Sequence, residues 1–250
     1  MDTETFGWIL ASGLCTGIGG LFLLLVRSPT GRLLDVLLGF TAGVMLAATA
    51  FSLLVPALER GGIGEVLAGF ALGAATLLAL DRFVPHAHAR MAERGRQAAK
   101  DAEATHRATL LLSALTIHNL PEGMAVGLAF AAGGPDLGIP LAVAIGIQNI
   151  PEGFAAAAPL LATGTSARAA AGIAALTGAV EPPAALAAFG ASTFADGALV
   201  PGLGFAAGAM LYVIADELIP ESHSGGNERE ATLALLAGFA LMLALDNAFG

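Results

Sequence analysis

Residues 118–153 read HNLPEGMAVGLAFAAGGPDLGIPLAVAIGIQNIPEG and hold two versions of one phrase. HNLPEG (His118 to Gly123) returns thirty positions later as QNIPEG (Gln148 to Gly153). Each copy lies in a long run of Ala, Gly, Leu, Ile and Val that is expected to form a membrane-spanning helix. Residues four apart share a helix face, so His118 points with Glu122, and Gln148 with Glu152. Pro121 and Pro151 lack an N–H and free the carbonyls of Ile117 and Ile147. Free backbone and carboxylates at bilayer depth survive only when buried in protein or lining a wet cavity. Two such helices face to face would gather an imidazole, amide oxygens and carboxylates around a cation.

Composition agrees with a membrane setting. The 250 residues are 56% hydrophobic and 12% charged, with a mean hydropathy of +0.77. That excludes an ordinary soluble domain and points to a polytopic membrane protein. The net charge of −9 bears on solvated ends and polar sites, and no basic patch suited to nucleic acid is present. A single cysteine, Cys15, excludes an internal disulfide framework and a thiolate metal cluster; packing is its expected role. The acidic N-terminus and the long run from Trp8 to Val26 are expected to remain as a span rather than a cleaved signal.

Eight spans are expected, at roughly 5–26, 33–57, 63–84, 107–131, 138–162, 167–190, 198–220 and 230–248. Their connections are short and rich in turn formers, such as SPTGR, ERGGIG and AAGGPD. The exception is the loop of residues 86–106, within a single transmembrane domain of residues 1–250. Ten of the eleven Lys and Arg flank alternate connections on one side; only Arg60 lies opposite. The positive-inside rule makes that side cytoplasmic and puts both termini outside.

A second echo joins the second and seventh spans. GFTAGVML (Gly39 to Leu46) resembles GFAAGAML (Gly204 to Leu211), in helices expected to run in opposite directions. That is the mark of an inverted-repeat transporter. Its G-x-x-x-G spacing also lets helices pack closely, which is the other reading. Other polar residues in spans include Glu181, in VEPPAA, where two prolines must distort the sixth helix. Met45 and Ser52 share a face of the second span, where Met45 would ordinarily pack and Ser52 bond back to its own helix. Asp216 and Glu217 lie toward the inner end of the seventh span.

The HNLPEG and QNIPEG pair on successive spans, with eight spans and both ends outside, resembles the ZIP family of divalent metal transporters. DRFVPHAH (Asp81 to His88) is similar to its GufA-like bacterial branch. The likeness covers essentially the whole chain. Echo and resemblance together give an all-α membrane protein of eight transmembrane helices, in a 3+2+3 arrangement with an inverted repeat and extracytoplasmic termini. The resemblance implies uptake of Zn²⁺, or of Cd²⁺, Fe²⁺ or Mn²⁺, toward the cytoplasm as a transported substrate. It implies a primary site at His118, Glu122 and Glu152, adjoined by Met45 and Gln148. A second site would fall on Asn119, Asn149, Glu152 and Glu181. Inner metal handling would fall on His86 and His88, with Asp216 and Glu217 along the exit. Asp35 either belongs to that exit or caps the second helix.

Many family members carry His and Asp where this chain has Gln148 and Asn149. Losing an imidazole weakens the first site for Zn²⁺, and losing a carboxylate weakens the second. No H-E-x-x-H spacing supports a zinc hydrolase, so no enzyme is expected. An intramembrane metalloprotease or a proton-coupled carrier of another small ion are the alternatives. The expected setting is a multi-pass protein of a cell inner membrane or plasma membrane. Its partners are divalent metal ions and lipid, with a homodimer as the candidate assembly.

Overall fold

Apolar runs with few charges become helices throughout the computed structural model, which describes residues 1–26, 29–81, 100–195 and 197–249. Asp2 caps α1 (Thr3–Leu21): its carboxylate accepts the Thr5 N–H at 2.8 Å. That backbone N–H holds the Asp2 carboxyl below its usual pKa. After α1 comes a 3₁₀ turn, Phe22–Leu24. Thr30 caps α2 (Gly31–Ala47), which runs through a π-helical stretch, Ala48–Leu54, into α3 (Val55–Arg60). α4 spans Ile63–Asp81. α5 spans Lys100–Ala157 and is followed by a 3₁₀ segment, Ala158–Thr163.

The remaining helices are α6 (Ala167–Gly178), α7 (Glu181–Phe194), α8 (Leu199–Val213), α9 (Ile219–Ser222) and α10 (Glu228–Phe249). A second π-helical stretch, Ile214–Leu218, joins α8 to α9. Both π stretches thus follow a copy of the GFxAG echo, and each leads into a short helix with Pro in its first turn. Among the described residues, seven stretches are long and apolar enough to cross a membrane.

One of the seven, Leu115–Leu161, is 47 residues long and includes both PEG motifs. It does not run straight. Gly134 leaves helical geometry at φ 59 and ψ −143, a conformation that suits glycine. The Gln148 amide reaches Glu122 at 2.7 Å, although 26 residues separate them. A straight helix would hold them about 39 Å apart. α5 is therefore a hairpin of two arms facing each other, with the turn inside the expected AAGGPD connection. Pro135 opens the second arm, where a missing N–H matters least.

Pro182 and Pro183 start α7 rather than lying inside a helix. The sixth expected span is thus two helices meeting around Ala179 and Val180, with Glu181 at the start of the second.

Small residues decide which helices touch. A Cβ on Gly39 or Gly43 would strike the backbone of Ala231 or Leu235 on α10. On Gly204 or Gly208 it would strike Val66 or Phe70 on α4. The echo thus packs α2 on α10 and α8 on α4. Likewise Gly19 and Gly153 bring α1 against the second arm of α5, and Gly123 and Gly127 bring the first arm against α7. Lipid is as apolar as a side chain, so close backbone approach and dispersion hold such helices together.

Candidate metal centre

The two PEG motifs lie on the inner faces of the α5 hairpin. Their helical register stacks His118 over Glu122 and Gln148 over Glu152, and the reversal at Gly134 brings the pairs together. His118, Asn119, Glu122, Gln148, Asn149, Glu152 and, from α7, Glu181 are each at most 5% exposed.

Within this group the amides act as donors. Gln148 Nε2 donates to Glu122 Oε1 at 2.7 Å. Asn149 Nδ2 approaches both oxygens of Glu181, at 2.9 and 2.8 Å, and the Ser12 carbonyl at 3.0 Å. Thr16 Oγ1 donates to Glu181 Oε1 at 3.3 Å. His118 Nε2 lies 3.1 Å from Glu217 Oε1, on the π-helical stretch after α8.

The centre is marked by what remains. Glu122 Oε2, Gln148 Oε1, Glu152 Oε1, Asn119 Oδ1, Asn149 Oδ1, His118 Nδ1 and Asn119 Nδ2 are buried without a hydrogen-bond partner among the described residues. Five of these seven atoms are oxygens. With the Nε2 proton directed to Glu217, a neutral imidazole adds a lone pair on Nδ1. Leaving one buried polar atom unpaired costs roughly 1–3 kcal/mol. A cluster of acceptors with almost no donors left is electrostatically completed by a cation.

The cluster is not a finished cage. Among the described residues, no three His, Cys, Asp or Glu side chains are already grouped to hold one ion. His118 is turned to Glu217 and one oxygen of Glu122 to Gln148. Ligation by three of them requires those contacts to open.

Other expected residues are distributed as follows. Met45 is buried in the apolar core, and its carbonyl accepts from Thr49 Oγ1 at 2.8 Å. Glu217 joins the centre through His118, while Asp216 beside it is exposed. Asp35 is buried and accepts from Asn227 Nδ2 at 2.8 Å, against the turn before α10. It does not cap α2: it is the fifth residue of that helix, and Thr30 accepts the Leu33 N–H. His86 and His88 lie outside the described residues. Ser52 does not bond back to its own helix; its hydroxyl reaches Asp246 Oδ1 on α10 at 3.2 Å.

Ser12, Thr16 and Thr41 were not anticipated, and Thr41 Oγ1 donates to the Gln148 carbonyl at 3.4 Å. Ser12 and Thr16 are four apart in an apolar run, so a shared polar face was the available signal.

Fold and site together define a multi-pass helical membrane protein built around a buried, acceptor-rich polar cluster. The sequence profile described as "ZIP Zinc transporter" matches residues 4–246, and the chain belongs to that family. It is 43% identical over 250 residues to "Zinc transporter GufA" of Myxococcus xanthus, covering 96% of this chain and 97% of the relative. It is also 43% identical over 244 residues to "Zinc transporter ZIPB" of Bordetella bronchiseptica, covering 94% and 78%. "Zinc transporter ZupT" of Corynebacterium glutamicum is 39% identical over 254 residues, with 95% of each chain covered. The family expected from the paired PEG motifs, and the GufA-like branch to which DRFVPHAH is similar, are therefore those found.

Proposed function

We propose that this chain carries Zn²⁺, or a related divalent cation such as Cd²⁺, Fe²⁺ or Mn²⁺, toward the cytoplasm by alternating access around the α5 cluster. The carrying observation is the surplus of buried acceptor atoms at His118, Asn119, Glu122, Gln148, Asn149 and Glu152. Carboxylates offset the cost of stripping water from the ion, and imidazole and amide oxygen complete a mixed N/O set. Such a set suits borderline divalent metals without selecting sharply among them. Glu181 and Met45 adjoin the site in this reading. Glu217, Asp216, Asp35, His86 and His88 serve the exit.

Packing supports movement of one helix group against another. Among the described glycines, backbone-close contacts fall within α1, α5, α6 and α7, or within α2, α4, α8 and α10. Contacts between the groups run through side chains instead: Thr41 to the Gln148 carbonyl, Arg60 to the Ala132 carbonyl, and His118 to Glu217. Side-chain contacts exchange more easily than interlocked backbones, and the cluster residues sit on the first group.

In this reading the 47-residue stretch makes two crossings. As one helix it would extend about 70 Å, over twice the hydrocarbon thickness of about 30 Å. That makes eight crossings, in the 3+2+3 order with an inverted repeat. The basic-residue bias puts both termini outside a cell inner membrane or plasma membrane, and a homodimer is the proposed assembly. A cysteine at Gly95 should label only from the cytoplasmic face of oriented vesicles; labelling from outside would reverse the topology.

Function is tested by uptake of a panel of divalent ions into proteoliposomes, with internal metal measured directly. Saturable Zn²⁺ uptake far slower than channel conductance is expected. A folded protein that moves no divalent ion would refute the proposal.

A further inference from the structure

The three buried carboxylates near the cluster do not stand in equivalent surroundings. Glu122 and Glu152 each keep an oxygen without a partner, whereas neither oxygen of Glu181 does. Asn149 Nδ2 contacts both Glu181 oxygens, and Thr16 Oγ1 adds a further donor to Oε1. The amide orientation is set by chemistry. Its nitrogen branch faces three acceptors: two carboxylate oxygens and the Ser12 carbonyl. An oxygen placed there would meet only lone pairs. The amide oxygen must therefore occupy the other branch, where Asn149 Oδ1 is buried and unpartnered.

We infer that Glu181 is a positioning residue rather than a ligand: it holds the Asn149 amide so that Oδ1 faces one central cation. This rests on reading the cluster as the metal site, and it departs from the second site implied by family resemblance. A second ion bound to Glu181 would compete with the Asn149 NH₂ for the same lone pairs. Partners of this kind fix a ligand's orientation, and removing one typically weakens metal binding about 10–100-fold.

The test uses purified full-length protein, equilibrium dialysis against Zn²⁺, and Co²⁺ absorption as a probe of coordination. The parent should bind one ion per chain. Glu181→Gln should still bind one, about 10–100-fold more weakly. Asn149→Ala should shift the Co²⁺ spectrum at unchanged stoichiometry, because it deletes a ligand oxygen. Two ions per chain in the parent, falling to one in Glu181→Gln, would overturn the assignment; so would a Co²⁺ spectrum that Asn149→Ala leaves unaltered. If Glu181→Gln does not fold, parental stoichiometry and the Asn149→Ala spectrum still decide. A parent that binds no ion sinks the reading of the cluster itself, whereas two ions sink this inference alone.

Discussion

The two PEG motifs share a backbone pattern and differ in what surrounds them. In the first copy, His118 reaches out of its helix group to Glu217, and Asn119 keeps both amide atoms unpartnered. In the second, Gln148 and Asn149 donate inward, to Glu122, Glu181 and Ser12. Equivalent asparagines thus have opposite fates, because Asn149 meets a carboxylate from α7 and a carbonyl from α1. The first copy's imidazole reaches the other helix group, and the second copy's amides bond within their own. On the proposed carrier reading, the first is the exchanging half and the second the fixed half.

That division can be broken hardest at Glu152, the second copy's carboxylate with an unpartnered oxygen. Glu152→Gln keeps size and deletes the charge that the proposed cation would face. Stranding a buried charge costs about 3–5 kcal/mol, so binding should fall more than about a hundredfold and uptake should reach background. Normal uptake by the inserted variant would make the cluster structural. Next, Gln148→His gives the second copy the first copy's imidazole. Imidazole favours Zn²⁺ over Mn²⁺ on the divalent affinity series, so preference for Zn²⁺ in competition uptake should rise by roughly tenfold. An unchanged ratio would mean that position 148 does not face the ion.

Glu217→Gln removes the competing charge that draws His118 away. One charge-assisted hydrogen bond contributes about 1.5–3 kcal/mol. Dialysis should therefore show tighter metal binding, by about tenfold, with slower turnover. Weaker binding would instead make Glu217 a ligand.

Much of this arrangement was legible in the chain. Spacing placed His118 with Glu122 and Gln148 with Glu152, and apolar runs marked the stretches long enough to cross a membrane. The AAGGPD stretch marked the reversal, which is made by Gly134 alone. Local periodicity could not show which polar residues meet across the bundle. Ser12 to Asn149, Asp35 to Asn227 and Ser52 to Asp246 join positions 137, 192 and 194 apart. Such contacts depend on which small-residue seams interlock. Asp35 illustrates this: its position near a helix start suggested a cap, yet burial against the turn before α10 gave it Asn227.

The smallest effect is expected at Thr41, where the second copy touches the opposite helix group. Its hydroxyl donates to the Gln148 carbonyl at 3.4 Å, near the limit for a hydrogen bond. Thr41→Val keeps the shape and removes the donor. A neutral bond of this kind contributes about 1 kcal/mol or less, so uptake should change by no more than about fivefold. Metal affinity should stay unaltered, because the contact is to backbone rather than to a ligand atom. Thr41→Ser, which keeps the hydroxyl, should restore the parental rate. The His118 contact spans the same boundary with a carboxylate as acceptor, so Glu217→Gln must outweigh Thr41→Val if the first copy is the exchanging half. Equal effects on turnover would erase that distinction and make both copies fixed parts of one scaffold.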